Sequence, residues 1–162
     1  MSADNPSAES LFAAKPAAPW DFPSPHVVTL EVLPADIDAY DHVNNSVYLS
    51  WLDRAAWSHS AALGISLGQC VTLRRGMAAH RTEIDYLRAA VLGDGVWVGT
   101  WIVSTDSKLR VERRFHVRRA TDGETLARAR IDYVCINLDS GRAARMPDVF
   151  RHAYVVTTLS SG

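Results

Sequence analysis

Cysteine is scarce in this chain, and its placement excludes more than its number does. Cys70 and Cys135 lie far apart and belong to no Cys-x-x-Cys or mixed Cys/His spacing. Neither a disulfide framework nor a zinc site is signalled, and no metal is expected. An excess of positive charge is lacking too: 17 Lys and Arg stand against 18 Asp and Glu, a formal net charge of -1. No general field draws nucleic acid or an anionic membrane, so neither is an expected partner. Apolar runs of bilayer-spanning length are absent. The opening stretch MSADNPSAESLFAAKPAAPWDFPSP is rich in Ala, Pro and Ser and lacks the basic start and apolar core of a secretory signal. The expectation is a cytoplasmic protein with a flexible arm over residues 1–25, whose end Trp20 and Phe22 pin to the domain.

What is present suits one globular domain over residues 26–162. A chain of 162 residues that is 48% hydrophobic can bury one core and is short for two. HVVTLEVLP, from residue 26, has the β-branched and apolar content of a strand and is stopped by Pro34. NSVYLSWLDRAAWSHSAALG follows without proline or internal glycine until Gly64, which suits a helix closed by a glycine cap. Ser46, Ser50, Asp53, Arg54 and Ser58 share one polar stripe on it, while Val47, Leu49, Trp51, Leu52, Ala55, Ala56 and Leu63 fill most of the rest. After a less regular link, ISLGQCVTLRRG, four strands are expected near 77–88, 95–105, 108–119 and 124–138, joined by the turn sequences GDG, TDS and TDG. In KLRVERRFHVRR, Leu109, Val111, Phe115 and Val117 alternate with charged residues, giving one buried and one wet face. Short turns make these strands antiparallel neighbours, so the fold class is α+β, with a sheet wrapping a long buried helix.

Between the first strand and the helix lies DIDAYDHVNN, residues 36–45, with three aspartates and a histidine ahead of two asparagines. It reads either as an elaborate turn that starts a helix or as a reaction centre at a helix N-terminus. Asp36 and Asp41 suit turn shaping and capping, and Asn44 or Asn45 suits the N-cap.

DIDAYDHVNNSVYLSWLDRA resembles the signature of the 4-hydroxybenzoyl-CoA thioesterase-like branch of hotdog-fold acyl-CoA thioesterases. TEIDYLRAAVLGDGVWVGTWI resembles the same family's second and third strands, and the HVNN element is also similar to plant acyl-carrier-protein thioesterases. The resemblance covers roughly residues 27–147 and implies a hotdog fold and thioester hydrolysis. It places the catalytic aspartate at Asp38, the oxyanion-binding amide at Asn45, and an orienting histidine at His42. Asp41 stands where many relatives carry Gly, and Tyr40 where the plant enzymes carry a functional Asn, which brings the match closer to the acyl-CoA branch. No cofactor is implied, because coenzyme A is part of the substrate.

The chemistry fits those positions. A thiol of pKa near ~8.5 leaves readily as thiolate, so the enzyme chiefly stabilises an oxyanion and supplies or activates an oxygen nucleophile. Uncommitted N–H groups at a helix N-terminus meet the first need. A carboxylate meets the second, by activating water or by attacking the carbonyl. Tyr48, Arg88 and Arg113 are the expected substrate contacts. Arg110, Arg113, Arg114, Arg118 and Arg119 suit either the phosphates of coenzyme A or a solvated sheet face, and Arg113 falls in phase with the buried residues. Asp53, on the helix, is a further carboxylate candidate. An open sheet edge calls for pairing, so a homodimer or homotetramer is expected. An acyl-carrier-protein thioesterase and a non-catalytic acyl-CoA-binding module remain the alternatives.

Overall fold

A computed structural model of the chain describes residues 19–159. Residues 1–18 of the expected arm lie outside the described residues. Five strands, β1 (His26–Glu31), β2 (Arg75–Tyr86), β3 (Gly95–Thr105), β4 (Arg110–Arg119) and β5 (Thr125–Asn137), form one sheet in the order β1-β3-β4-β5-β2. Every pairing is antiparallel. The long helix α1 (Asn45–Ala62) packs on one face, and two short helices follow, α2 (Leu67–Leu73) and α3 (Asp148–Ala153). This is the expected α+β arrangement of one long helix against an antiparallel sheet.

Local chemistry explains the element ends. The Asn44 side chain caps α1 by accepting from the Ser46 N–H at 2.9 Å. Gly64 closes it at φ 93°, a conformation open to glycine at little cost. In the β3–β4 turn, one carboxylate oxygen of Asp106 accepts from the N–H groups of Lys108, Leu109 and Arg110 at 2.8, 2.8 and 2.9 Å. These turns hold the register in which Val98, Val117 and Ala127 line up across three strands beneath α1. From α1, Tyr48, Trp51, Leu52, Ala55 and Ala56 complete that core.

Two expectations change. The link after α1 is not irregular: Ser66 and Gln69 form a reciprocal capping box that starts α2, a Ser-x-x-Gln signature legible in the sequence. The alternate face of β4, expected to be wet, is partly covered. His116 is 2% exposed and Arg118 1%, because the segment ahead of β1 lies across them. Trp20 stacks 5.0 Å from the Arg118 guanidinium and meets His116 edge-on at 5.5 Å. Gly99 leaves room for it, since a Cβ there would sit 2.7 Å from the Trp20 ring. Phe22 packs edge-on against Trp101, Pro23 accepts from its indole N–H at 2.8 Å, and Asp21 accepts two bonds from Arg128. Trp20 and Phe22 thus fasten this segment, and the fastening removes two charged or polar side chains from water.

Cys70 and Cys135 are free and buried. Among the described residues, no helix is long and apolar enough to cross a membrane. None of the groups of His, Cys, Asp and Glu among them is arranged to hold a metal ion.

Candidate active site

The aspartate-rich stretch folds into a tight loop that feeds α1. Asp38 donates its backbone N–H to the His42 carbonyl at 2.8 Å, and its carboxylate accepts from the Tyr40 N–H at 2.8 Å. Asp41 adopts φ 60°, the left-handed conformation that glycine takes freely and that Asp tolerates better than most residues. The turn is therefore made with an aspartate in the left-handed position. Val43 and Asn44 anchor the loop, donating to the carbonyls of Ala90 and Asp36 at 2.9 and 2.8 Å. Of the first N–H groups of α1, that of Ser46 goes to the Asn44 side chain and that of Val47 to the Asn44 carbonyl. The Asn45 N–H donates to nothing among the described residues. Asp38 is half-buried, while His42 and Asn45 are exposed.

The sequence-predicted residues thus separate into groups. Asp38, His42 and Asn45 share the loop and helix start. Tyr48 lies in the core beneath, 2% exposed, where its hydroxyl accepts from the Ala90 N–H at 3.2 Å. Arg88 is on the surface beside Glu124 at 3.5 Å. Arg113 is elsewhere again, on the wall of a cavity of about 360 Å³ between α1 and the sheet, a volume in the range of small-molecule sites. None of the loop residues lines that cavity, and Asp53 does.

The arginine-rich strand is mostly committed within the chain. Arg114 pairs with Glu112, Arg119 with Asp94 and Asp122, and Arg118 with the Gly123 carbonyl and Trp20. Trp57 lines the cavity and is 44% exposed. Trp51 and Trp97 are buried, and Trp101 lies beneath Phe22 and Pro23.

The inner wall of the cavity carries a polar network that sequence reasoning did not find. Arg113 donates to His59 Nδ1 at 2.6 Å and to Ser60 Oγ at 3.1 Å, and the Tyr154 hydroxyl donates to the same Oγ at 3.1 Å. His26 stacks on His59 with ring centroids 5.0 Å apart and bonds Ser58 at 2.8 Å. The one available signal was phase: His59 continues the buried face of α1 set by Tyr48, Leu52, Ala55 and Ala56.

Burial, then the charge of Arg113 and the neighbouring His26, push the His59 pKa from 6.5 down to about 3. Burial likewise pushes the Tyr133 phenol up to about 12, so both are neutral at ordinary pH. Linkage gives a sign. Between pH 6.5 and about 3 the unfolded chain holds a proton on His59 that the folded chain refuses, so stability declines as pH falls through that window. The urea midpoint is expected to fall from about pH 7 to about pH 4.5. His59→Asn, which keeps an acceptor and loses the titrating ring, is expected to flatten part of that fall. His116, pushed down to about 4 chiefly by burial, contributes in the same sense and leaves a remainder. Equal slopes in the two proteins would show that His59 is not held neutral.

A family model described as the thioesterase-like superfamily matches residues 32–154. The chain is similar to Protein THEM6 of Danio rerio, 37% identical over 90 residues, which is 55% of this chain and 44% of that protein. The match therefore spans less than half of that relative. It is also similar to the long-chain acyl-CoA thioesterase FadM of Escherichia coli (strain K12), 27% identical over 122 residues, 71% of this chain and 86% of that one. Among solved structures, a 1,4-dihydroxy-2-naphthoyl-CoA thioesterase from Synechocystis matches with a TM-score of 0.72 at 23% identity, covering 81% of this chain and 96% of that chain. At that identity the likeness speaks to the fold, which is the hotdog arrangement.

Proposed function

The chain belongs to the thioesterase-like superfamily, and from that premise we propose that it hydrolyses acyl-CoA thioesters to the free acid and coenzyme A. The observation that carries the proposal is the loop at the start of α1. There a half-buried carboxylate, Asp38, and the N–H of Asn45, which has no acceptor among the described residues, belong to the segment that leads into the positive end of an 18-residue helix. Asp38 acts as nucleophile or general base, the Asn45 N–H stabilises the oxyanion, and His42 helps to orient the thioester. The cavity beside Asp53 and Trp57 takes the acyl group. The reaction so written uses no cofactor.

Pairing of protomers belongs to the same proposal. β1 and β2 are the two sheet edges, and Leu49 and Trp57 stand exposed on α1 at 46% and 44%. A homodimer or homotetramer that covers these features would bring the cavity and a catalytic loop to one substrate.

The test is thiol release from a panel of short, long and aromatic acyl-CoAs, on protein sized by light scattering in the same buffer. Turnover of at least one class by an oligomer is expected. Turnover confined to the same acyl groups on acyl carrier protein would move the assignment to that carrier. Tight retention of acyl-CoA without turnover would make the chain a binding module.

A further inference from the structure

The cavity contains a charge that its own walls do not neutralise. Arg113 is 3% exposed, and its two side-chain hydrogen bonds go to His59 Nδ1 and Ser60 Oγ. A guanidinium keeps its proton in a protein, so Nδ1 is the acceptor and His59 carries its hydrogen on Nε2. Neither partner brings negative charge. Burial lowers the Arg113 pKa, and no carboxylate among the described residues pairs with it. Asp53 is the one carboxylate on the cavity wall among the described residues, and it is exposed on the outer stripe of α1. A cation withdrawn from water without an anion is costly. It is understandable where an anion arrives with a ligand.

The surroundings are arranged for such a ligand. A guanidinium has five N–H donors, and the bonds to His59 and Ser60 occupy two of them. The Tyr133 hydroxyl opens on the same cavity and has no hydrogen bond among the described residues. Ser60 Oγ accepts from both Arg113 and Tyr154, which leaves its own hydrogen to donate. Three donors and one positive charge therefore converge within walls that are otherwise largely apolar, including Ala56, Met77, Val111 and Ile131.

We propose that this cluster receives a carboxylate at the far end of the acyl group, so that the preferred substrates are ω-carboxyacyl thioesters rather than simple fatty acyl thioesters. Arg113 pairs with that carboxylate by charge-assisted hydrogen bonds, Tyr133 and Ser60 complete its donors, and the apolar walls hold the intervening methylenes. The proposal rests on the acyl-CoA reading and names the substrate class of the same site.

The test measures binding rather than turnover. Ketomethylene analogues of glutaryl-CoA and adipoyl-CoA, in which a methylene replaces the thioester sulfur, are compared by calorimetry with those of pentanoyl-CoA and hexanoyl-CoA. The full chain is expected to bind the carboxylate member of each pair about ten- to one-hundredfold more tightly. Arg113→Gln is expected to bring the ratio close to one. Tyr133→Phe removes a hydroxyl that has no partner among the described residues, so it is expected to fold and to narrow the ratio several-fold, which keeps the test decisive if Arg113→Gln does not fold. Equal binding of charged and neutral members by the unsubstituted chain, or a ratio that survives both substitutions, would overturn this inference alone. Binding of none of the analogues would overturn the acyl-CoA reading and this inference with it.

Discussion

Asp38→Asn is expected to lower acyl-CoA turnover by about 10²–10⁴-fold, the usual contribution of a positioned acid or base, while leaving the fold intact. The two halves of that result have separate causes. The Asp38 carboxylate holds the loop by accepting from the Tyr40 N–H at 2.8 Å, and an asparagine oxygen can accept the same bond. An amide is neither a useful base nor a nucleophile for this chemistry, so the reaction loses its oxygen activator. Asp38→Ala loses the loop bond as well and is expected to cost a further ~0.5–1.5 kcal/mol of stability. Single-turnover thiol release, paired with far-UV circular dichroism, separates the effects. An Asn variant that hydrolyses acyl-CoA within a few-fold of the original would remove Asp38 from the mechanism.

The largest stability effect is expected at Trp101. This residue is fully buried, meets Phe22 and Trp20 edge-on with centroids 5.4 and 6.2 Å apart, and bonds Pro23 through its indole N–H. Trp101→Ala removes the surface on which the segment ahead of β1 rests. The expected loss is about 3–5 kcal/mol, or roughly 10 °C in Tm for a domain of this size. With the segment loosened, His116 and Arg118 regain access to water. Trp57→Ala is the matched control, since Trp57 is 44% exposed at the cavity and its removal is expected to change stability by less than ~1 kcal/mol. Thermal unfolding followed by circular dichroism compares the two. A shift for Trp101→Ala no larger than that for Trp57→Ala would mean that the segment is not anchored there.

Much of the architecture was legible because it depends on local regularities. Period-two alternation marked the strands, and the run from Asn45 to Gly64 without proline or internal glycine marked α1. Asx chemistry at Asp94, Asp106 and Asp122 marked the turns that make neighbouring strands antiparallel. The motif of residues 36–45 was legible for the same reason, since a loop that presents a carboxylate and a helix N-terminus needs its residues at fixed short spacing. The short helix α2 was legible in the same local way, since Ser66 and Gln69 spell its capping box. His116 and Arg118 were different. No short window reveals that a polar side chain will be buried when the element that covers it lies dozens of residues away.

By itself the sequence determined the α+β class, the order of its main elements, and the loop that holds Asp38 at the head of α1, because these follow from hydrogen bonds and side-chain periods between near neighbours. Tertiary structure alone decided that Trp20 would cover Arg118 and that Arg113 would meet His59 and Ser60. It also decided that these donors would face an apolar cavity. Such outcomes depend on strands and helices far apart in the chain closing on the same volume, and the free energy of a buried charge is set by whatever then surrounds it.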